Sequence, residues 1–280
     1  MSETKVHEVG LDAGLMQTRA GWAVLAALVI AGTAILPGVG FATSLAANEA
    51  HALGAAPLTG STLYDSYNWA GYFAQNTSPN VNYTVTKVSG TWVQPAVNCA
   101  NGKTAIMAMW VGIDGATDGT VEQTGSIGQC AKGVATYYVW WELYPKNSVQ
   151  PISSITVHAG DTITASVTFV AKSGAFKMTI ADGASSFSKT ASQSGTAYRA
   201  DAECIVERPS NGVTLYSLAK FTTASFSACS ATINGHTASI QKFGQVGQID
   251  MVNNADTKVI ASTSKAGTGG SFTVTWKGYH

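Results

Sequence analysis

The chain has 280 residues, room for one large domain or two ordinary ones, and single all-β domains often reach about 200–250 residues. Charged residues make up 11%, with 16 basic against 16 acidic, so the formal net charge is zero. That balance excludes the broad basic surface a nucleic-acid binder needs. Low charge with abundant Ser, Thr, Gly and Ala fits an exported protein.

The N-terminal stretch points the same way. Lys5 and Arg19 precede an apolar run from Trp22 to Leu36, followed by Pro37-Gly38 and small residues from Ala42 to Ala47. This is the order of a secretory signal peptide, expected to cover residues 1–45. The run is short of the ~20 residues a spanning helix needs, and no later run is long enough, so no membrane contact is expected after cleavage. Residues 46–62, rich in Ala, Leu and Gly with Pro57, read as a short pro-segment or linker. Residues 63–280 are expected to form one domain, monomeric and secreted.

Strands dominate that domain. Ser66–Ala74 and Lys87–Gln94 are split by the turn signals of Asn76 to Asn82. From Thr104 to Asp114 the chain alternates: Ala105, Met107, Met109, Val111 and Ile113 make a core face, and Ile106, Ala108, Trp110, Gly112 and Asp114 the other. That second face, small but for one Trp and ending in a carboxylate beside Gly115, suits the floor of a groove. Tyr137–Tyr144 repeats the pattern, with Tyr138, Trp140, Glu142 and Tyr144 sharing one face. A glutamate among three aromatics is a poor core and a good cleft. Thr162–Val170 and Ser271–Lys277 alternate cleanly. Further strands are expected at Phe176–Ile180, Ala202–Glu207, Leu215–Thr222, Ala231–Ile240, Gln248–Val252 and Lys258–Ser262. No window after residue 60 carries a helical stripe, so the fold class is all-β, a sandwich or a barrel.

Several short motifs now line up. Trp110-Val111-Gly112-Ile113-Asp114-Gly115, Gln123-Thr124-Gly125, Trp141-Glu142-Leu143-Tyr144-Pro145 and Ala202-Glu203-Cys204-Ile205-Val206-Glu207 follow one another, with Asn68-Trp69-Ala70-Gly71 before them and Ala159-Gly160-Asp161 between the last two. In order and spacing they resemble the glutamic peptidases (eqolisins), from about Ser66 to the C-terminus. The family pattern usually has Trp where Cys204 stands. The resemblance implies a sandwich of two large antiparallel sheets, concanavalin- or lectin-like, with a groove on the curved sheet. It also implies a secreted acid-active endopeptidase that takes protein or peptide substrates and needs neither cofactor nor metal.

By that match Glu203 resembles the catalytic glutamate. On an extended Ala202–Glu207 strand it shares a face with Glu207 while Cys204 and Val206 point inward, and burial on a sheet face raises a carboxyl pKa into the working range of a base. Its bland alternative is a surface glutamate paired with Arg199 or Arg208. Gln123 corresponds to the catalytic glutamine; an amide is neither acid nor base, so it orients water and donates an N–H to an oxyanion. Alternation puts Glu122 on the core side, where an unpaired carboxylate is unexpected, so the strand is expected to end or bulge there. Trp110, Asp114 and Gly115 are supporting candidates, as are Tyr138 and Trp140 on the groove. Glu142 is expected to share a proton with a neighbouring carboxyl and hold Glu203.

Cys99, Cys130, Cys204 and Cys229 all lie in the exported part, an even count that implies two disulfides among three pairings. Cys99–Cys130 and Cys204–Cys229 are preferred because each closes a short loop around one motif block. No Cys-x-x-Cys or His-rich spacing offers a zinc site. No Gly-x-Ser-x-Gly elbow or Asp-Thr-Gly occurs, and Gly267–Gly270 lacks the lysine of a phosphate loop and reads as a turn. Two rivals keep the sandwich: a glycoside hydrolase using Glu142 and Glu203, with Tyr138, Trp140 and Tyr144 stacking sugars, and a lectin-like module without catalysis.

Overall fold

Alternation at Thr162–Val170 becomes a strand with those bounds: Ile163, Ala165 and Val167 are buried and Thr162 and Thr164 exposed. The same rule, apolar side chains inward at every second position, builds almost every element of the domain. The computed structural model describes residues 16–18 (backbone), 62–75, 84–211 and 214–279. Apart from 16–18 and Thr62, the expected leader and linker, 1–45 and 46–62, lie outside the described residues, as does the turn expected at 76–82.

The strands form two layers. In the first the order is Asn147–Ile152, Val134–Tyr144, Val121–Ala131, Ala105–Ile113, Asp201–Glu207, Trp69–Gln75 and Gln245–Val252, all antiparallel. Thr62–Ser66 then adds in parallel, with the Met16–Thr18 backbone antiparallel beside it. The second layer runs Ser185–Ala191, Ala175–Asp182, Thr162–Val170, Val85–Val93, Ala224–Ile233, Phe272–Trp276 and Val259–Thr263. Val259–Thr263 also pairs with the end of Gln245–Val252, so the two layers are continuous along one side. This is a sandwich of two antiparallel sheets.

Met107, Met109, Val111 and Ile113 of the first sheet pack in one cluster with Val88, Trp92, Ile163 and Phe226 of the second. Gly90 marks the closest approach: a Cβ there would stand 2.8 Å from Val111 Cγ1 and 3.6 Å from the Cys204 Sγ. Both preferred disulfides form. Cys204–Cys229 crosses between the sheets with Cα atoms 6.4 Å apart, and Cys99–Cys130 fastens the Val97–Asn98 segment to the first sheet. Cys204 therefore joins the middle of the Asp201–Glu207 strand covalently to the opposite layer.

Four readings need correction. Ser66–Ala74 is two strands, because the Ser66 hydroxyl accepts the N–H groups of Asn68 and Trp69 and turns the chain between them. Ala231–Ile240 is not one strand: Ala224–Ile233 turns at Asn234-Gly235, both at positive φ, into His236–Ser239. That Asn-Gly turn is a standard hairpin signal. Leu215–Thr222 contains two two-residue strands instead of one long one. Asn147–Ile152 and Ser185–Ala191 went unread, the latter because its side chains are mostly exposed and polar.

The fourth correction is Glu122. Val121–Ala131 does not bulge there: its pairing with Val134–Tyr144 runs on to Val121, while its pairing with Ala105–Ile113 stops at Ile113–Glu122, one residue from the strand's start. Glu122 is fully buried on the core side and receives the Gln193 side-chain N–H at 2.8 Å. Burial pushes its carboxyl up to about 8, against the opposing Gln193 bond and with Asp118 and Asp201 adding to the rise. A proton removes the charge that alternation alone would leave stranded.

Candidate active site

The outer face of the first sheet holds one row of side chains that crosses six strands. Register places Gly247, Phe73, Glu203, Gly112, Gln123 and Glu142 side by side. The hairpin at Lys132-Gly133, both residues at positive φ, sets part of this row: with Ala131 opposite Val134, Gln123 must fall opposite Glu142. Glu203 and Gln123 stand two strand spacings apart, about 10 Å between Cα atoms, with only a glycine between them. A bulky residue at 112 would fill the space where both side chains can reach one small group.

One row along the strands lie Ile205, Trp110, Gly125 and Trp140. Glycines make room for the Trp110 ring: a Cβ on Gly112 would come within 2.7 Å of Trp110 Cζ3, and one on Gly125 within 2.6 Å of Trp110 Cβ. Trp110 Nε1 donates to Glu207 Oε2 at 2.7 Å, and its ring meets Trp69 edge-on at 5.0 Å. Trp110 and Trp140 are buried within an apolar cluster on this face, and Tyr138 and Tyr144 pack at its margin, half-buried. Trp110 is thus floor rather than wall, and Trp140 offers no open ring face for stacking.

In the other direction the row borders a turn rich in carboxyls. Asp114 takes a positive φ of 67° and Gly115 follows at 116°, where a Cβ would strike Val121 Cγ2 at 2.6 Å. Only glycine fits that position. The Asp114 carboxyl accepts the N–H groups of Arg199 at 2.7 Å and Ala200 at 2.6 Å, tying down the segment that leads into the Glu203 strand. Asp201 returns the favour: its carboxyl accepts the Ala116 N–H at 3.0 Å and the Thr117 hydroxyl. Asp114 is pushed up to about 10 by burial first, then by Asp201, Asp118 and Glu122, with the Arg199 N–H opposing. Asp118 rises to about 6 by burial and Asp201, despite the Thr120 N–H.

Glu203 is fully buried; no described N–H or hydroxyl donates to its carboxyl oxygens, and the Asp201 carboxyl lies within hydrogen-bond reach of them. Burial raises its pKa well above the ordinary value, and the nearby Asp201, Asp114 and Asp118 add to the effect. No ion pair joins it to Arg199 or Arg208; the Arg208 guanidinium turns to Asn254 instead. Gln123 donates its side-chain N–H to Glu142 Oε2 at 2.8 Å, while its Oε1 has no partner. Here the reading of Glu142 changes. It holds Gln123 across the hairpin rather than Glu203, and Asp201 takes the place beside Glu203. An amide has two N–H groups, so one remains for a ligand when Glu142 takes the other.

Chemically, the row sets a raised carboxyl opposite a braced amide, over a gap that only a glycine lines. No group of His, Cys, Asp or Glu among the described residues has the arrangement of a metal site. Sequence reasoning missed Asp201, Asp118, Thr117 and Gln193. For Asp201 the signal was present, since it stands two residues before Glu203 and alternation puts both on one face. Gln193 sits in a loop, where no periodicity marks it.

Known proteins match this chain in sequence and in fold. The profile of the Peptidase A4 family matches residues 67–276. Aspergillopepsin-2 of Aspergillus niger is 29% identical over 234 residues, 75% of this chain and 78% of its own. Scytalido-glutamic peptidase, solved with a transition state analog inhibitor, superposes with a TM-score of 0.62 at 26% identity, covering 75% of this chain and 98% of that one. Aspergilloglutamic peptidase from Aspergillus niger gives 0.54 at 28% identity, covering 62% and 99%.

Proposed function

The chain belongs to the Peptidase A4 family and is a glutamic endopeptidase, and on that premise we propose that Glu203 and Gln123 are its catalytic pair, working on protein or peptide substrates in mildly acid solution. The observation that carries this is the row itself: Glu203 and Gln123 flank Gly112 on one sheet face. Glu203 as carboxylate takes a proton from a water molecule, whose oxygen bonds to the peptide carbonyl carbon. The carbonyl oxygen becomes an oxyanion and receives the free Gln123 N–H. Glu203 then passes the proton to the amide nitrogen, the C–N bond breaks, and a new carboxyl and amine leave. Glu142 keeps Gln123 turned toward the gap.

The pH range follows from the carboxyls. Rising pH ionises Glu203, whose proton is held above the ordinary range, and so supplies the base. Over the same rise Asp118, near 6, and Glu122, near 8, load the site with charge. A bell-shaped profile is the expected outcome. Residues 1–45 act as the export signal and 46–62 as a short pro-segment or linker, the two disulfides suiting an oxidising compartment. The secreted domain works as a monomer.

The test is digestion of a denatured protein across pH, with pepstatin and a chelator present. Glu203→Gln should abolish peptide release while the fold persists. Gln123→Ala should lower kcat by about 100–1,000-fold, the usual loss for one oxyanion donor, with KM little changed. Wild-type digestion by Gln123→Ala would overturn the pairing.

A further inference from the structure

Resting on that catalytic reading, we propose that Asp201 is a positioning residue for Glu203: its anchored carboxylate, two residues back on the same strand face, keeps the proton on Glu203 and so sets the pH at which the base becomes available. Across and along the sheet, Glu203 has mostly apolar neighbours. Across the sheet its neighbours are Phe73 and Gly112, which offer no polar atom beyond backbone already in the ladder. Along its own strand the same-face neighbours are Ile205 and Asp201. Of these two only Asp201 carries an ionisable group, and its carboxyl comes within hydrogen-bond reach of the Glu203 carboxyl.

Asp201 is held more firmly than its position on a strand requires. Its two oxygens meet the Ala116 N–H and the Thr117 hydroxyl, and its backbone carbonyl accepts the Asp114 N–H at 3.0 Å. Two donors converging on two oxygens are satisfied best by a carboxylate, which accepts and does not donate. The Asp201 carboxyl is thereby fixed in place beside a glutamate that no other described side chain donates to. A like charge at such range, in a buried site, disfavours ionisation.

The other charged groups facing Glu203 are differently engaged. From the turn after Ala105–Ile113 come Asp114, given over to the Arg199 and Ala200 N–H groups, and Asp118, bonded to the Thr120 N–H. From Val134–Tyr144 comes Glu142, on the far side of Gln123. Glu207, further down the same strand, accepts from Trp110. Trp69–Gln75 and Gln245–Val252 bring only Phe73 and Gly247 to the row. Of the neighbours that raise Glu203, Asp201 is the foremost after burial itself.

The test separates charge from structure. In Asp201→Asn the amide oxygen still accepts the Ala116 N–H, but the charge is gone. The acid limb of kcat/KM should move down by about one to two pH units, the effect of one charge at this distance at an intermediate dielectric. The Glu203 carboxyl, read by infrared titration with Glu203→Gln as the difference reference, should shift by the same amount. Asp201→Glu, which restores the charge, should return both toward wild type. A merely structural role would lower activity at every pH and move neither midpoint; that result overturns the proposal. Should Asp201→Asn fail to fold, Asp201→Ser keeps an acceptor for Ala116 and carries the same test. The infrared midpoint is independent of turnover, so a Glu203→Gln variant with full activity would sink the catalytic pair alone.

Discussion

Glu122 makes a sharp prediction because it is a fully buried carboxyl whose pKa burial raises to about 8. Unfolded, it releases its proton near 4.5; folded, near 8. Between those values the native state binds the extra proton, so stability must fall as pH rises through that window and be fully present below it. The span corresponds to at most about 5 kcal/mol, since each pKa unit is worth ~1.36 kcal/mol. Glu122→Gln retains an oxygen for the Gln193 N–H and has nothing to ionise. The assay is guanidinium unfolding of both proteins at intervals from pH 4 to pH 9. The variant should match or slightly trail wild type at pH 4, and its stability should decline less steeply by several kcal/mol toward pH 8. The fall that remains belongs to Asp118 and Asp114, raised in the same direction to about 6 and about 10, and to Glu203, raised well above its ordinary value. Parallel curves for the two proteins would refute the reasoning, because they would mean that Glu122 ionises in the fold without cost.

Two further predictions concern the frame of the site. Gly112→Ala places a methyl within 2.7 Å of a Trp110 ring already held by Glu207, so it should cost roughly 1–3 kcal/mol as overpacking, and narrow the gap enough to lower kcat/KM by more than the stability loss explains. Peptide hydrolysis compared with thermal unfolding checks it; a fully active, equally stable variant would count against the glycine's role. Cys204→Ala with Cys229→Ala opens a bridge of 25 residues' separation and should destabilise by about 3–4 kcal/mol, measured by denaturant unfolding.

How far the site could be read from sequence depends on the kind of contact that builds it. Alternation within a strand is local, and it assigned the faces of Ala105–Ile113, Val134–Tyr144 and Asp201–Glu207 correctly: Met107, Val139 and Cys204 point to the core, and Trp110, Trp140 and Glu203 to the outer sheet face. It could not tell which strands lie side by side. Glu142 was expected beside Glu203 because both are acids on groove faces, yet Gly112 and Gln123 stand between them. The Lys132-Gly133 turn held enough information to place Gln123 opposite Glu142, since a two-residue hairpin fixes every pairing that follows.

Glu122 failed for a different reason. The rule against buried carboxylates was applied to a charged group, and a proton was the partner left out. Once neutral, Glu122 can lie on the inner face of a regular strand, and Gln193, from a loop 71 residues away, supplies its hydrogen bond. The acids at this end of the sheet answer one another. Asp114 holds the backbone of Arg199 and Ala200, Asp201 holds Ala116 and Thr117, and Glu122 holds Gln193. Each fastens a loop to the strands that carry Gln123 and Glu203, and each is raised, or raises a neighbour, by being buried in company. The burial that raises the Glu203 carboxyl is therefore part of the same arrangement that positions it. Braces such as Asp114 and Glu122, whose raised carboxyls keep their protons into the neutral range, hold this end of the sheet most firmly below that range.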